Sequence, residues 1–148
     1  MPSTSQKEST VFATASECEI AFYRAFAECN PGGMKAVWHS DKPVCIHPGA
    51  TPLVGLEAIL ASWNGILGNS LPPDLRIKTI KRMDLGSVQI HIVEEQVNPD
   101  TGTAPVSNIL LATNVYLLTE QGWKMTEHHA STTLVSQASR PPSDQRLH

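Results

Sequence analysis

His47 ends the phrase Asp41-Lys42-Pro43-Val44-Cys45-Ile46-His47-Pro48-Gly49. Val44-Cys45-Ile46 reads as a short apolar strand and Pro48-Gly49 as a turn. The phrase therefore sets an imidazole where a rigid element meets a loop, a usual place for binding and chemistry. An imidazole with an ordinary pKa of about 6.5 moves protons at neutral pH better than an unshifted carboxylate does. The plainer reading is a histidine that caps the turn by bonding a backbone carbonyl.

Other residue types fit around such a base. Tyr23 lies at the edge of an apolar helical stripe, where its hydroxyl either polarises a carbonyl oxygen or stands in water. Asn114 lies on an apolar strand face with Ala112 and Tyr116. A buried amide needs partners, and it can donate to an oxyanion without a raised pKa. His128 and His129 are neighbours on one strand and point to opposite faces. Strict alternation groups Trp123, Met125, Glu127, His129 and Ser131, which makes His129 and Ser131 the cavity candidates. The rival reading places them at the surface or in a dimer interface. Glu94 and Glu95 also diverge, and one of them can face an imidazole and orient it. Asp41 belongs near the pocket mouth. Trp63 belongs to the core, with lining the pocket as its second reading. The six histidines show no HxH or HExxH spacing, so no metal site is expected. No Gly-rich phosphate loop, GxSxG elbow or CxxC is present.

The elements that must position these residues follow from periodicity. Apolar positions at 11, 15, 18, 22, 25/26 and 29 make a first helix over Val11 to Cys29. Asn30-Pro31-Gly32-Gly33 stops it. Met34 to His39 forms one or two turns. Gly55 opens a helix with Leu56, Ile59, Leu60, Trp63, Ile66 and Leu67 on one face. The period then changes to two. Leu75, Ile77 and Thr79, then Val88, Ile90 and Ile92, form a hairpin across Asp84-Leu85-Gly86-Ser87. Asn98 to Gly102 turns into a strand from Asn108 to Leu118, and Gly122 turns into a last strand from Trp123 to about Thr133. Helices segregated from an antiparallel sheet give an α+β fold. The strand 109–118 is apolar on both faces, so its second face needs a cover beyond the helices. The simplest cover is a second copy of the chain.

The 148 residues fit one domain over 11–134, with disorder expected at 1–10 and 135–148. A net charge of −3 with no basic run excludes a nucleic-acid track or an anionic membrane as partner. No apolar run is long enough to span a bilayer, and residues 1–10 lack the apolar core of a signal peptide. Cys18 and Cys29 stand roughly 16 Å apart along one helix axis, too far for a disulfide. Three reduced, buried cysteines point to the cytoplasm.

The order of these elements resembles the nuclear transport factor 2 superfamily, a cone-shaped α+β fold. Val37-Trp38 ahead of Asp41, the His47-Pro48-Gly49 phrase, Gly55 with Ser62-Trp63, Ala112-Thr113-Asn114-Val115, and Gly122-Trp123 ending in His128-His129-Ala130-Ser131 resemble its SnoaL-like branch over residues 12–133. The resemblance implies a curved antiparallel sheet packed on three N-terminal helices, with a mostly apolar pocket between them. Ketosteroid isomerases of this superfamily carry a tyrosine on the first helix, an Asp-Pro base and an acid on the penultimate strand. Tyr23 matches the first, His47-Pro48 stands in place of the second, and Asn114 in place of the third. The exchanged base and acid take steroid isomerisation itself out of the implication. What is implied is a cofactor-independent isomerase or lyase. On that expectation His47 would serve as base on a hydrophobic carbonyl compound, Tyr23 and Asn114 would stabilise the developing oxyanion, and Asp41, Trp63, His129 and Ser131 would contact the ligand. The superfamily also contains non-catalytic binding and assembly domains, which leaves that class open beside the enzyme, with a metal-dependent hydrolase as a third.

Overall fold

The structure, a computed structural model, describes residues 10–69, 71–99 and 109–133. The disorder expected at 1–10 and 135–148 concerns residues that, apart from Thr10, lie outside the described ones. So do Asp100 to Gly102 of the expected turn and Asn108. Helices α1 (Ala15–Ala27), α2 (Pro31–Val37) and α3 (Leu56–Gly68) pack on a curved sheet of six strands. These are β1 (Val44–Ile46), β2 (Leu53–Val54), β3 (Leu75–Asp84), β4 (Val88–Val97), β5 (Ile109–Thr119) and β6 (Gly122–Thr132). Their order across the sheet is β2-β1-β6-β5-β4-β3. All neighbouring pairs are antiparallel except β1 with β6. This is the α+β cone expected from the order of elements.

Local chemistry fixes the helix ends. Thr14 caps α1 by accepting from Glu17 N–H, while the Glu17 carboxylate takes Ala13 N–H. The cap starts the helix later than the apolar stripe suggests, and Phe12 instead bridges to Gly122. Asn30 both follows the first helix and caps the second, its side chain accepting from Gly33 N–H. Trp38 leaves α2 extended and bridges to Met125. The two-residue strand β2, hidden from periodicity by its length, folds back on β1.

The core lies between the helices and the inner face of the sheet. Phe22 is fully buried at its centre, with edge contacts to Tyr23 (4.8 Å between ring centroids), Trp63 (5.5 Å) and Trp38 (6.2 Å). The outer face carries Ile90, Ile92, Val115 and Leu117, all half-buried, with Leu111 exposed. Among the described residues, no helix is long and apolar enough to cross a membrane.

One irregularity decides which side chains reach the interior. Val115 pairs with Glu127 but Tyr116 pairs with Met125, so Thr126 is an extra residue in β6. A bulge of one residue reverses the alternation beyond it. Trp123 and Met125 point inward before the bulge, and His128 and Ala130 point inward after it. His129 and Ser131 are exposed on the outer face, which corrects the assignment that strict alternation gave them.

Gly122 begins β6 at φ +88°, where a Cβ would meet Phe12 O at 2.8 Å and Val11 Cγ1 at 2.9 Å. Gly86 has a similar φ of +90° but open space around it. Gly122→Ala is expected to cost roughly 2–4 kcal/mol and Gly86→Ala about 1 kcal/mol. Urea denaturation of the two variants checks this, and equal losses would refute the close packing of residues 11 and 12 on β6.

Candidate functional site

The curved sheet and α1 enclose a polar network inside the apolar core. Glu19 and Tyr23, one helical turn apart, point inward from α1. His91 and Glu95 face inward from β4, Asn114 and Tyr116 from β5, and His128 from β6. Strand register brings them together, because Asn114 stands opposite both His91 and His128.

Asn114 joins these elements. Its Nδ2 donates to the Tyr23 hydroxyl at 2.9 Å and to Glu19 Oε2 at 3.4 Å. Its Oδ1 lies 2.6 Å from His128 Nδ1, so that nitrogen carries the proton and donates. The Tyr23 hydroxyl donates to Glu95 Oε2 at 2.6 Å, and the Tyr116 hydroxyl donates to Glu19 Oε2 at 3.2 Å. His91 Nδ1 lies 3.2 Å from Glu19 Oε2 without hydrogen-bond alignment, and its Nε2 contacts Gln89 Oε1 at 3.1 Å.

Beside this network lies a half-open cavity of about 170 Å³. Phe26, Trp63, Ile66, Leu110, Pro48 and Ala130 form its apolar wall, and His47, Glu95 and His128 are its polar side chains. His47 follows β1, which pairs parallel with β6 and places Cys45 beside His128. His47 Nε2 contacts Ser62 Oγ at 2.9 Å, and its ring packs edge-on against Trp63.

Burial sets the protonation of these groups. Desolvation lowers the His47 pKa below 6.5, so the ring is neutral at neutral pH. Desolvation, then the nearby His47 and His129, pushes His128 down to about 3. Desolvation raises the Glu95 pKa above 4.5, against the Tyr23 hydrogen bond, and the Glu19 charge adds to the rise. Tyr23 is held well above 10 by burial and by the Glu95 charge. Burial pushes the Cys45 thiol up to about 12, which makes it a poor nucleophile despite lying 3.9 Å from His47 Nε2.

Of the residues singled out in the sequence, His47 and Trp63 line the cavity. Tyr23 and Asn114 come together, but their polar groups bond Glu95, Glu19 and His128. They reach the cavity through those partners. Asp41 is exposed and away from its wall, and its N–H donates to His39 Nδ1 at 3.0 Å. Glu95 is the inward member of the Glu94/Glu95 pair. Glu19, His91 and Tyr116 were not singled out. The spacings Glu19/Tyr23 and His91/Glu95 place each pair on one face, a signal readable in the chain. Among the described residues, no three His, Cys, Asp or Glu side chains are grouped as a metal site would need.

These shifts have a pH signature. The unfolded chain protonates His128 near 6.5, whereas the folded chain resists protonation down to about 3. Below pH 6.5 the unfolded state therefore binds more protons, and stability falls as pH falls, by up to about 1.4 kcal/mol per pH unit. His47 adds to the loss in the same direction. Glu95 opposes it, because its raised folded pKa gives a contribution present at low pH and lost as pH rises through that value. Glu95→Gln should steepen the acid loss. Urea midpoints from about pH 7 to about pH 4 test this, and a flat wild-type profile would contradict the burial of a neutral His128.

A family model described as a SnoaL-like domain matches residues 17–135. A Thiobacillus denitrificans protein, named as a candidate calcium/calmodulin-dependent protein kinase type II association domain, is 38% identical with a TM-score of 0.78. The match covers 84% of this chain and 99% of that one. A candidate dehydratase of the NTF2-like family from Streptomyces avermitilis is 22% identical with a TM-score of 0.71, over 91% and 100% of the two chains. A ketosteroid isomerase-like protein from Erwinia carotovora atroseptica is 13% identical with a TM-score of 0.65, over 81% and 94%. The last two share the fold alone. No curated protein matches the chain. The model match over most of the chain makes this protein a member of the SnoaL-like domain family, with a cone fold shared with the NTF2-like protein above.

Proposed function

We propose that the protein is a cofactor-independent isomerase or lyase acting on a compact hydrophobic carbonyl compound, with His47 as general base. The observation that carries this reading is the convergence of His47, Glu95 and His128 on one apolar cavity. A neutral imidazole at a cavity wall can accept a proton next to a carbonyl. Glu95, whose raised pKa favours its protonated form, supplies the donor for the carbonyl oxygen. Tyr23 and Asn114 act by holding Glu95 and His128. A dry cavity of about 150 Å³ takes one benzene ring, so the volume of about 170 Å³ here favours a substrate of that size.

A second reading, a non-catalytic binding or assembly domain, draws support from the 38% identity to the candidate association domain. On either reading the partners are a small hydrophobic ligand and a second copy of the chain, with no nucleic acid or membrane, in the cytoplasm. The dimer is proposed through the outer face of the sheet. Ile90, Ile92, Val115, Leu117 and Leu111 form a broad apolar surface there, with His129 and Ser131 beside them.

Deuterium uptake into cyclohexanone, followed by NMR, tests the enzyme reading. The wild type should accelerate exchange next to the carbonyl, and His47→Ala should lose about a hundredfold or more while keeping its circular dichroism spectrum. Exchange that survives His47→Ala unchanged rejects the role. For the dimer, light scattering at micromolar concentration should give about twice the 16.1 kDa of one chain. A single-chain mass rejects it.

A further inference from the structure

Both lining the cavity, His128 Nε2 and Glu95 Oε2 are 4.0 Å apart, and among the described residues the hydrogen bond of His128 is made by Nδ1 and not by Nε2. The spacing is too long for a direct hydrogen bond. It is not an ion pair either, since His128 is neutral in the fold. An oxygen about 2.8 Å from both atoms would subtend roughly 90°, close to the angle of a hydroxyl that donates one bond and accepts another. Asn114 makes one end of this gap a fixed acceptor. By accepting the hydrogen bond from Nδ1–H at 2.6 Å it keeps the ring proton on Nδ1 and leaves Nε2 with a lone pair. Tyr23 pins the other end, donating to the same Glu95 oxygen at 2.6 Å.

We propose that the gap between His128 Nε2 and Glu95 is a seat for a single hydroxyl oxygen, which selects the enol form of a compact ketone or aldehyde over its keto form. This rests on the proton-transfer reading above. A carbonyl oxygen has no proton for Nε2, so its lone pairs face another lone pair. As His47 removes the proton beside the carbonyl, the C–H electron pair becomes the C=C bond of the enol. The C=O π pair takes the proton of the Glu95 carboxylic acid. The new O–H then donates to His128 Nε2, while through the half-open cavity solvent takes the proton from His47 and restores the one on Glu95, so that the enol oxygen accepts from the acid as well. The same steps in reverse, with His47 regaining a proton from solvent, return one to carbon, so protons and electrons balance over the cycle. The seat therefore strengthens as the reaction proceeds, which is the condition for a binding interaction to accelerate a reaction. An alkoxide or phenolate gains nothing from Nε2, so the seat favours a neutral hydroxyl over an oxyanion. In this scheme Asn114 and Tyr23 are positioning residues.

Phenol, a ring-sized permanent enol, and toluene, its hydroxyl-free counterpart, are the probes. The wild type should bind phenol about tenfold or more tightly than toluene by calorimetry near neutral pH. In ¹⁵N spectra of the histidine rings, phenol should move His128 Nε2 and toluene should not. His128→Phe should abolish the preference. If that variant fails to fold, the wild-type nitrogen shift still decides. Equal affinities, or a stationary Nε2 signal with phenol bound, overturn the seat, and a water bridging the two groups would then account for the spacing. Binding of neither probe overturns the seat together with the pocket reading. A phenol preference and a moving Nε2, without deuterium exchange into cyclohexanone, support the seat and refute only the catalytic function.

Discussion

The Asn114 amide is the point on which the interior depends. It stands on the penultimate strand and bonds the first helix through Tyr23 and Glu19, and the last strand through His128. An amide is suited to this because it has both donors and acceptors in one planar group. A carboxylate there would accept only. Toward Tyr23 and Glu19 the amide presents its NH₂; toward His128 it presents its oxygen. That polarity sets the His128 tautomer and with it the free lone pair at the cavity.

Burying so many polar groups is costly unless they satisfy one another. Here Tyr23 and Tyr116 each donate a hydroxyl hydrogen bond to a glutamate oxygen, and Asn114 links the two halves. Phe22 packs beside the network, its ring 4.9 Å from the His128 ring and 4.8 Å from that of Tyr23. The apolar packing and the polar network therefore hold the same side chains. One removes water and the other fixes direction. The result is a cavity whose walls are apolar and whose ionisable groups are shifted toward their neutral forms.

Much of the fold was legible in the chain because periodicity and turn chemistry are local. The helix stripe expected over Val11 to Cys29 contains α1, the break expected at Asn30 falls between α1 and α2, although Pro31-Gly32-Gly33 open the second helix, and the change to a period of two after Pro73 corresponds to the long strands. The doubly apolar strand β5 also stood out, and its outer face does carry exposed and half-buried aliphatic residues. His47 and Trp63 were legible as cavity residues because each follows from one local feature, a strand-turn junction and a helix face. Strand β2 was not legible, since two residues carry no period. The role of Tyr23 was only half legible, because its place on the helix edge says nothing about what lies across from it.

The chain alone determined that Glu94 and Glu95 diverge, as do His128 and His129, since alternation is a property of any strand. Which member of each pair faces inward was decided by the tertiary structure. For β6 the deciding residue is Thr126, which pairs with no residue of β5 and reverses the alternation after it. A bulge is set by how two strands register against each other under the curvature of the sheet, and neither partner's sequence states it. The same holds for Glu95. Its inward place follows from β4 pairing with β5 so that His91 meets Asn114. Residue types and spacing determined that a base, an amide and a tyrosine were available to a pocket. Only strand register decided that His128 and Glu95, with His47, would be the groups that face it, because register acts between segments distant in the chain.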